Sequence, residues 1–544
     1  MTIHTSTMAQ PSQRLRIGVD VGGTNTDGVV VDPAETLPDR AIKAWHKTAT
    51  TPDPSDGINN ALVAMFQSAG SAGEGIDPAH IASVTIGTTH FVNAVVEADS
   101  SRLSPVAVLR LCGPFSKHVP PCIDWHDDLR SVILGHYALL KGGLQVDGEL
   151  ISDIDEAEIR TQCAAIRAKG IRAVVVNGVF SPIDTVERQE EHAAAIIRAE
   201  MPSGCDVVCS KDVANLGFLE RENAAILNAA ILPFARETIR AFQRPISRLG
   251  LNCPVFITQN DGTVLSGDVA ARLPIRTFSS GPTNSMRGAA FLVQQDLKED
   301  VIVLDIGGTT SDIGLLQANG FPRQRAAYSD LEGVRMNFPG PDIRSVGLGG
   351  GSIVRREEKL TVGPESVGHR LQQESVVFGG STLTATDLTV LGSPDLSIGD
   401  RSRLRDLVSD AELSEFNAVV RQRLERTIDA MKTFPDDMPV ILVGGGAVIA
   451  PQSLRGASRV LKPRWSEVAN AVGAAIARVS EVVDTIKSTE SVSTADILGR
   501  VKAEAVQRTV DAGALASSVQ IAEVDTMALP VSCRSTLEVT FYGC

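Results

Sequence analysis

One eight-residue pattern occurs twice, far apart in the chain, and it constrains the fold more than any other feature. The first copy reads Asp20-Val21-Gly22-Gly23-Thr24-Asn25-Thr26-Asp27, and the second Asp305-Ile306-Gly307-Gly308-Thr309-Thr310-Ser311-Asp312. Each follows an apolar strand-like run (Leu15 to Val19; Val301 to Leu304) and precedes another (Val29 to Val31; Ile313 to Leu315). Strand, Gly-Gly-Thr turn, strand is a hairpin signature. Paired glycines let backbone approach a bulky anion, and the turn aims amide N–H groups and hydroxyls at it. The leading and trailing aspartates stand where they can hold a Mg²⁺ ion or orient a water. A single copy is usually just a turn. Two copies imply related half-molecules facing each other across a nucleotide.

At 544 residues the chain exceeds one ordinary core, so two or three domains are expected. With 43% hydrophobic and 21% charged residues it is a globular composition. The net charge of −14 and the lack of a basic stripe argue against nucleic acid, and 4% aromatics argue against a base-stacking platform. No apolar run reaches the roughly 18 to 20 residues that cross a bilayer. Residues 1–13 read as a polar, disordered leader without a signal-peptide core. Eight cysteines without a Cys-x-x-Cys fit reduced thiols, so the expected location is the cytoplasm.

Strands alternating with helices predict layered α/β domains. A first domain is expected over 14–202, a core domain over 203–505 and a C-terminal strand segment over 506–544. Helices are predicted at Gly57 to Ser68, Asp155 to Ala168, Ser181 to Glu200, Leu219 to Arg248, Asn284 to Gln294, Asp400 to Lys432, Trp465 to Asp484 and Ala495 to Ala512. The small residues Ala469, Ala471, Gly473, Ala474 and Ala475 permit close packing.

Other motifs are weighed against plainer readings. Gly444-Gly445-Gly446 ends a strand before a helix and suits an adenosine, since only glycine lets backbone lie flat against a base or ribose. Gly349-Gly350-Gly351-Ser352 either closes over phosphates or is a crossing loop. Thr88, Thr89 and Asn93, after the strand Ile81 to Ile86, contact substrate or phosphate, or cap a helix. Asn260 in Asn260-Asp261-Gly262 faces substrate or makes a turn. Cys112, His118, Cys122, His126 and His136 match no zinc module. Glu220-Arg221 reads as a surface or interdomain ion pair. There is no P-loop, no Gly-x-Gly-x-x-Gly opening a helix and no nucleophile elbow.

The order of Asp20 to Asp27, Gly87-Thr88-Thr89, Ser280-Gly281-Pro282, Asp305 to Asp312, Gly349 to Ser352, Gly363-Pro364-Glu365-Ser366 and Thr386-Asp387 resembles the hydantoinase A/5-oxoprolinase family from about Arg14 to the C-terminus. Asn25 stands where many members carry Phe, and Val376 to Gly380 replaces a Cys-Tyr-Gly stretch, as in a compact branch. The resemblance implies an α/β actin-like ATPase (ribonuclease-H-like) fold of duplicated halves with a nucleotide cleft, ATP and Mg²⁺ as cofactors, and hydrolysis of a cyclic amide such as a hydantoin, 5-oxoproline or a related lactam. Ketone carboxylation and a non-catalytic ATP switch are the alternatives. It further implies a hydantoinase B-like partner subunit and an oligomer. Carried onto this chain, Gly22, Gly23, Thr24, Thr26, Asp27, Gly307, Gly308, Thr309, Thr310 and Asp312 form the phosphate turns, Gly349 to Gly351 join them, and Gly444 to Gly446 form the adenosine loop. Asp20 and Asp305 take the metal-holding or water-orienting role.

Overall fold

The computed structural model describes residues 14–543, apart from residues 24, 52, 68–75, 215–216, 294–298, 319, 321, 324–327, 332, 338–339, 357, 482, 484, 490–491 and 530–535. The chain opens with β1 (Leu15–Val21), β2 (Asn25–Val31) and β3 (Ile42–Ala49), an antiparallel meander. Then follow α1 (Pro54–Gln67), β4 (Ile81–Thr88) and α2 (His90–Val96). An inserted layer comes next: β5 (Val106–Leu111), β6 (Leu134–Leu140), α3 (Glu156–Ala168), β7 (Ala173–Gly178), α4 (Gln189–Glu200) and β8 (Asp206–Cys209). Its four strands are parallel in the order β6-β5-β7-β8. Helices α3 and α4 bury Ile159, Cys163, Ile166, Ala193 and Ile197 against one face. The 31-residue α5 (Phe218–Arg248) shares a core with Val106, Val108 and Val175 of the other face and with Ile17, Ile58 and Ile86 of the first layer.

Strands β9 (Val255–Thr258) and β10 (Val264–Ser266) then return to the first sheet, whose order is β10-β9-β4-β1-β2-β3. Helix α6 (Ser280–Val293) leads to the second lobe: β11 (Val301–Ile306), β12 (Ser311–Leu316), a small ribbon of β13 (Ser329–Leu331) and β14 (Val334–Met336), and β15 (Ile343–Val346). Ribbon β16 (Ser352–Arg356) and β17 (Leu360–Ser366), helices α7 (Ala385–Gly392) and α8 (Asp410–Met431), β18 (Met438–Val443) and β19 (Ala457–Leu461) complete it. Its sheet runs β15-β12-β11-β18-β19. In both lobes a three-stranded antiparallel meander carries parallel strands on the side of its first strand, so the duplication seen in the turns extends to whole layers.

Helix α9 (Ala469–Ile476) crosses α6 between the two sheets. The crossing is backbone to backbone: a Cβ on Gly288 would lie 1.9 Å from the Ala469 carbonyl oxygen, and one on Gly473 1.9 Å from that of Asn284. The core around it draws Val29 and Val31 from one sheet and Val301, Val303, Ile441 and Val443 from the other. The chain ends in β20 (Thr485–Ser488), α10 (Thr494–Asp511), β21 (Ile521–Leu529) and β22 (Thr536–Gly543), with sheet order β20-β22-β21.

Three helices are shorter than periodicity predicts. Ser181 to Glu200 becomes α-helical only at Gln189: Ser181–Ile183 is a 3-10 turn, and the Asp184 carboxylate then accepts the Arg188 and Gln189 amides at the start of α4. Asp400 to Lys432 is interrupted until Ser409, which caps α8 in a capping box with Glu412. Trp465 to Asp484 is helical only over α9: Trp465 sits at φ +61°, and beyond Ile476 the chain straightens so that Val479 bridges Val264 of β10. The expected boundary at 202 falls between α4 and β8, inside a shared sheet. The leader, residues 1–13, lies outside the described residues.

Candidate functional site

Strand pairing gives the two turns the same construction. Asp20 is paired with Asp27 across the first hairpin, and Asp305 with Asp312 across the second. The Gly22 amide donates to the Asn25 carbonyl at 3.0 Å, and the Gly307 amide to the Thr310 carbonyl at 2.9 Å. Each turn therefore projects its Gly-Gly pair beyond the sheet with an acidic pair at its root. Thr309 and Thr310 stand exposed at the second tip. Thr24 lies outside the described residues.

The acidic pairs sit in a common field. Asp20 is 5% exposed, and burial, then the charge of Asp27, pushes its carboxyl up to about 7; the Asn470 amide, 3.2 Å from Oδ2, opposes this, and Asp305 adds to it. Burial also raises Asp305, and raises Asp27 against the pull of Lys47. Asp312 is pushed up to about 6 by burial, opposed by a short hydrogen bond from Ser345. Lys47 Nζ bonds both Asp27 oxygens at 2.8 Å and the Glu467 carbonyl at 3.1 Å. Asp305 and Asp312 line a small cleft with Pro282, Met286 and Ile343.

The triple glycine closes against the second turn. Gly444 has φ +87°, and a Cβ there would meet Asp305 Oδ1 at 2.2 Å; one on Gly446 would meet the Gly307 carbonyl at 2.4 Å. Gly445 faces the Lys47 ammonium stem. Both hairpin roots and this loop are thus brought to one place. The expected helix after Gly446 is only a short 3-10 turn, Ala447–Ile449.

Four expectations are corrected. Strand alternation turns Thr26 away from Asp27, so its fully buried hydroxyl meets Thr50 Oγ1 at 3.3 Å and packs under Gly57 of α1. Gly349 to Gly351 back the second turn from behind: the Gly350 and Gly351 amides donate to the Gly307 and Gly308 carbonyls, and so are spent. Asn260 uses its side chain on backbone, donating to Ile275 and accepting from Ser279. Glu220 and Arg221 turn to different partners: Glu220 faces Arg335, while buried Arg221 bonds Ser210, Asn177 and the Gly178 carbonyl.

Thr88 is buried and spends its hydroxyl on His90, which is capping work. Thr89 lies against Gly281, and Asn93 Nδ2 beside Gly23 at the first tip. Among the described residues no cluster of three His, Cys, Asp or Glu side chains is arranged to hold a metal, so the Cys112 to His136 set is dispersed. Sequence reading missed Lys47 and Asn470. Lys47 was readable in principle, since it lies directly across β2–β3 from Asp27; the asparagine carries no motif.

The family model described as hydantoinase/oxoprolinase matches residues 221–393, and that for the hydantoinase/oxoprolinase N-terminal region matches 16–201. The chain is 26% identical to the caprolactamase subunit alpha of Pseudomonas jessenii over 406 residues, covering 69% of this chain and 54% of that one. It is 27% identical to the acetophenone carboxylase gamma subunit of Aromatoleum aromaticum over 434 residues, 73% and 56% of the two. It spans about half the length of these relatives. The solved nucleotide-free acetone carboxylase superposes with TM-score 0.72 at 19% identity, over 97% of this chain and 81% of that chain. That likeness bears on the fold, which is the actin-like ATPase fold. Among the described residues no helix is long and apolar enough to cross a membrane.

Proposed function

The chain belongs to the hydantoinase/oxoprolinase family, and we propose that it is an ATP-dependent hydrolase of a small cyclic amide. The observation that carries this reading is the convergence of two like hairpins, each with an acidic pair at its root, on the Gly444 to Gly446 loop.

The residues fit ATP and Mg²⁺. Asp20 Oδ1 is buried with no hydrogen-bond partner among the described residues, and the all-oxygen donors suit a hard cation. Two carboxylates, Asp20 and Asp305, would hold it, the remaining positions falling to phosphate and water, as is usual for Mg²⁺. Bound there, the cation would neutralise phosphate charge. Gly22, Gly23, Gly307 and Gly308 would present backbone to the phosphates, with Thr309 and Thr310 alongside. A Cβ on Gly444 or Gly446 would strike Asp305 or the second turn, so these glycines let the loop close on that turn, and the nucleoside would lie against it. Lys47 fixes Asp27 and leaves Asp20 as the acidic group with a free oxygen in the first pair.

An amide carbonyl is a poor electrophile. Transfer of the γ-phosphoryl to its oxygen breaks the bond to ADP and makes that oxygen a leaving group. Water then adds to the carbon, the C–N bond breaks as the nitrogen takes a proton and the ring opens to an acyl phosphate, which a second water hydrolyses to carboxylate and phosphate. That relatives are named as subunits supports a hydantoinase B-like partner for the later steps.

The test is phosphate release by the purified chain with Mg²⁺, alone and against hydantoins, 5-oxoproline and other lactams. Release that rises with one cyclic amide supports the reading; release that rises only with a ketone and bicarbonate replaces it with ATP-dependent ketone carboxylation. That second reading is favoured by the 27% identity to the acetophenone carboxylase subunit.

A further inference from the structure

The two acids of the first pair are held by different kinds of donor. Asp27 gives both oxygens to the Lys47 ammonium at 2.8 Å, so its charge is met by a full positive charge. Asp20 is held through Oδ2 by the neutral Asn470 amide at 3.2 Å, and its Oδ1 is buried without a partner among the described residues. A neutral amide orients a carboxylate and leaves its negative charge for a cation, whereas an ammonium cancels that charge.

The segment that carries Asn470 is anchored on both lobes. Trp465, buried at φ +61°, turns the chain into the 3-10 turn Ser466–Val468 and then α9. There the Ser466 carbonyl accepts the Gly444 amide at 2.9 Å, and the Glu467 carbonyl accepts from Lys47 at 3.1 Å. One residue past Asn470, the backbone of α9 lies flat on β1. A Cβ on Gly18, two residues before Asp20, would fall 2.0 Å from the Ala471 carbonyl oxygen. The stretch from Ser466 to Asn470 thus bonds the triple-glycine loop, the Lys47–Asp27 pair and Asp20 in turn.

We propose that Asn470 is a positioning residue for the nucleotide-bound cation: it holds Asp20 by Oδ2 alone, so that Oδ1 faces the cation with its charge intact. Because Asn470 sits on the segment that also supports Gly444, the aim of Asp20 is set from the same piece of chain as the nucleoside loop. The inference rests on the nucleotide reading.

The decisive variants are Asn470→Leu, which keeps the volume and removes the donor, and Asn470→Gln, which keeps a donor on a longer arm. Each protein is titrated with ADP by calorimetry twice, once with Mn²⁺ and once in EDTA. The ratio of the two affinities isolates the contribution of the cation from any disturbance of the nucleotide pocket. A hydrogen bond to a charged group corresponds to roughly a ten- to hundredfold change in affinity. The ratio is therefore expected to fall by that factor in Asn470→Leu and to recover in part in Asn470→Gln, while ADP affinity in EDTA stays that of the parent. A parental ratio in Asn470→Leu overturns the assignment, since the side chain is then mere packing. Equal weakening in both titrations leaves the ratio unchanged and overturns it too. If Asn470→Leu does not fold, Asn470→Ala at the same half-buried position decides by the same ratio. A parent protein that binds ADP no more tightly with Mn²⁺ than in EDTA refutes the nucleotide reading itself, and the inference with it.

Discussion

Asp20 is held where its charge is costly. Its carboxyl stands near 7 against an ordinary value of 3.8, so the folded chain binds a proton that the unfolded chain has already released. Stability contributed by such a group falls as pH rises, from about pH 4 until the folded value is passed near pH 7. At 1.36 kcal/mol per unit the loss is about 4 kcal/mol. Asp20→Asn in the cation-free protein should thus melt above the parent at pH 8, by a margin that shrinks at pH 5, while losing cation binding; equal melting at pH 8 would contradict it. Lys47 has the opposite effect. Lys47→Ala strands the buried Asp27 carboxylate and should cost about 3 kcal/mol in a denaturant titration. At this scale the sequence was legible where residues belong to a turn and illegible elsewhere. Gly22, Asp20 and Asp305 announce themselves by fixed offsets, whereas Lys47 and Asn470 reach the site from other elements by tertiary register. Thr26 shared the motif but not the face, because alternation along β2 turns it toward α1.

Elements were legible where two independent signals agreed. The hairpins had apolar strands and glycine turns in the correct order; α5 had length and periodicity, and runs over Phe218–Arg248 despite Pro233 and Pro245. Helix α9 shows the limit: its small residues correctly indicated close packing, but its end is set by a partner strand 215 residues earlier in the chain, as Val479 bridges Val264. The packing itself yields a sharp prediction. Gly288→Ala puts a methyl 1.9 Å from a carbonyl oxygen of α9 and should cost about 3 kcal/mol or more, since neither backbone can retreat. Gly499→Ala, inside α10 with nothing within 4 Å, should instead stabilise by about 0.5 to 1 kcal/mol. Thermal melting of the two variants side by side checks both signs.

The whole molecule is threaded more intimately than a linear division suggests. A boundary near residue 202 looks natural in sequence, since a charged helix ends there. Yet β8 pairs with β7, and β9 pairs with β4 over Val84 to Ile86, so strands on either side of the boundary complete the same two sheets. Helix α5, on the far side, supplies Ala224 to Ile231 to the core that holds Ile17, Ile58 and Val106. No periodicity reveals this, because which strands pair is decided by long-range burial rather than by neighbours in the chain. A fragment of residues 14–202 would expose two unpaired strand edges and the apolar surface under α5. Its loss of burial falls on the central sheet, not the periphery. Expressed alone, it should show no cooperative thermal transition by circular dichroism, whereas residues 14–544 should unfold cooperatively. A sharp transition in the fragment would mean that the inserted layer is self-sufficient and that the first domain does end near 202. The absence of one would show that the first sheet and the inserted layer form only with the strands and the helix from beyond residue 202.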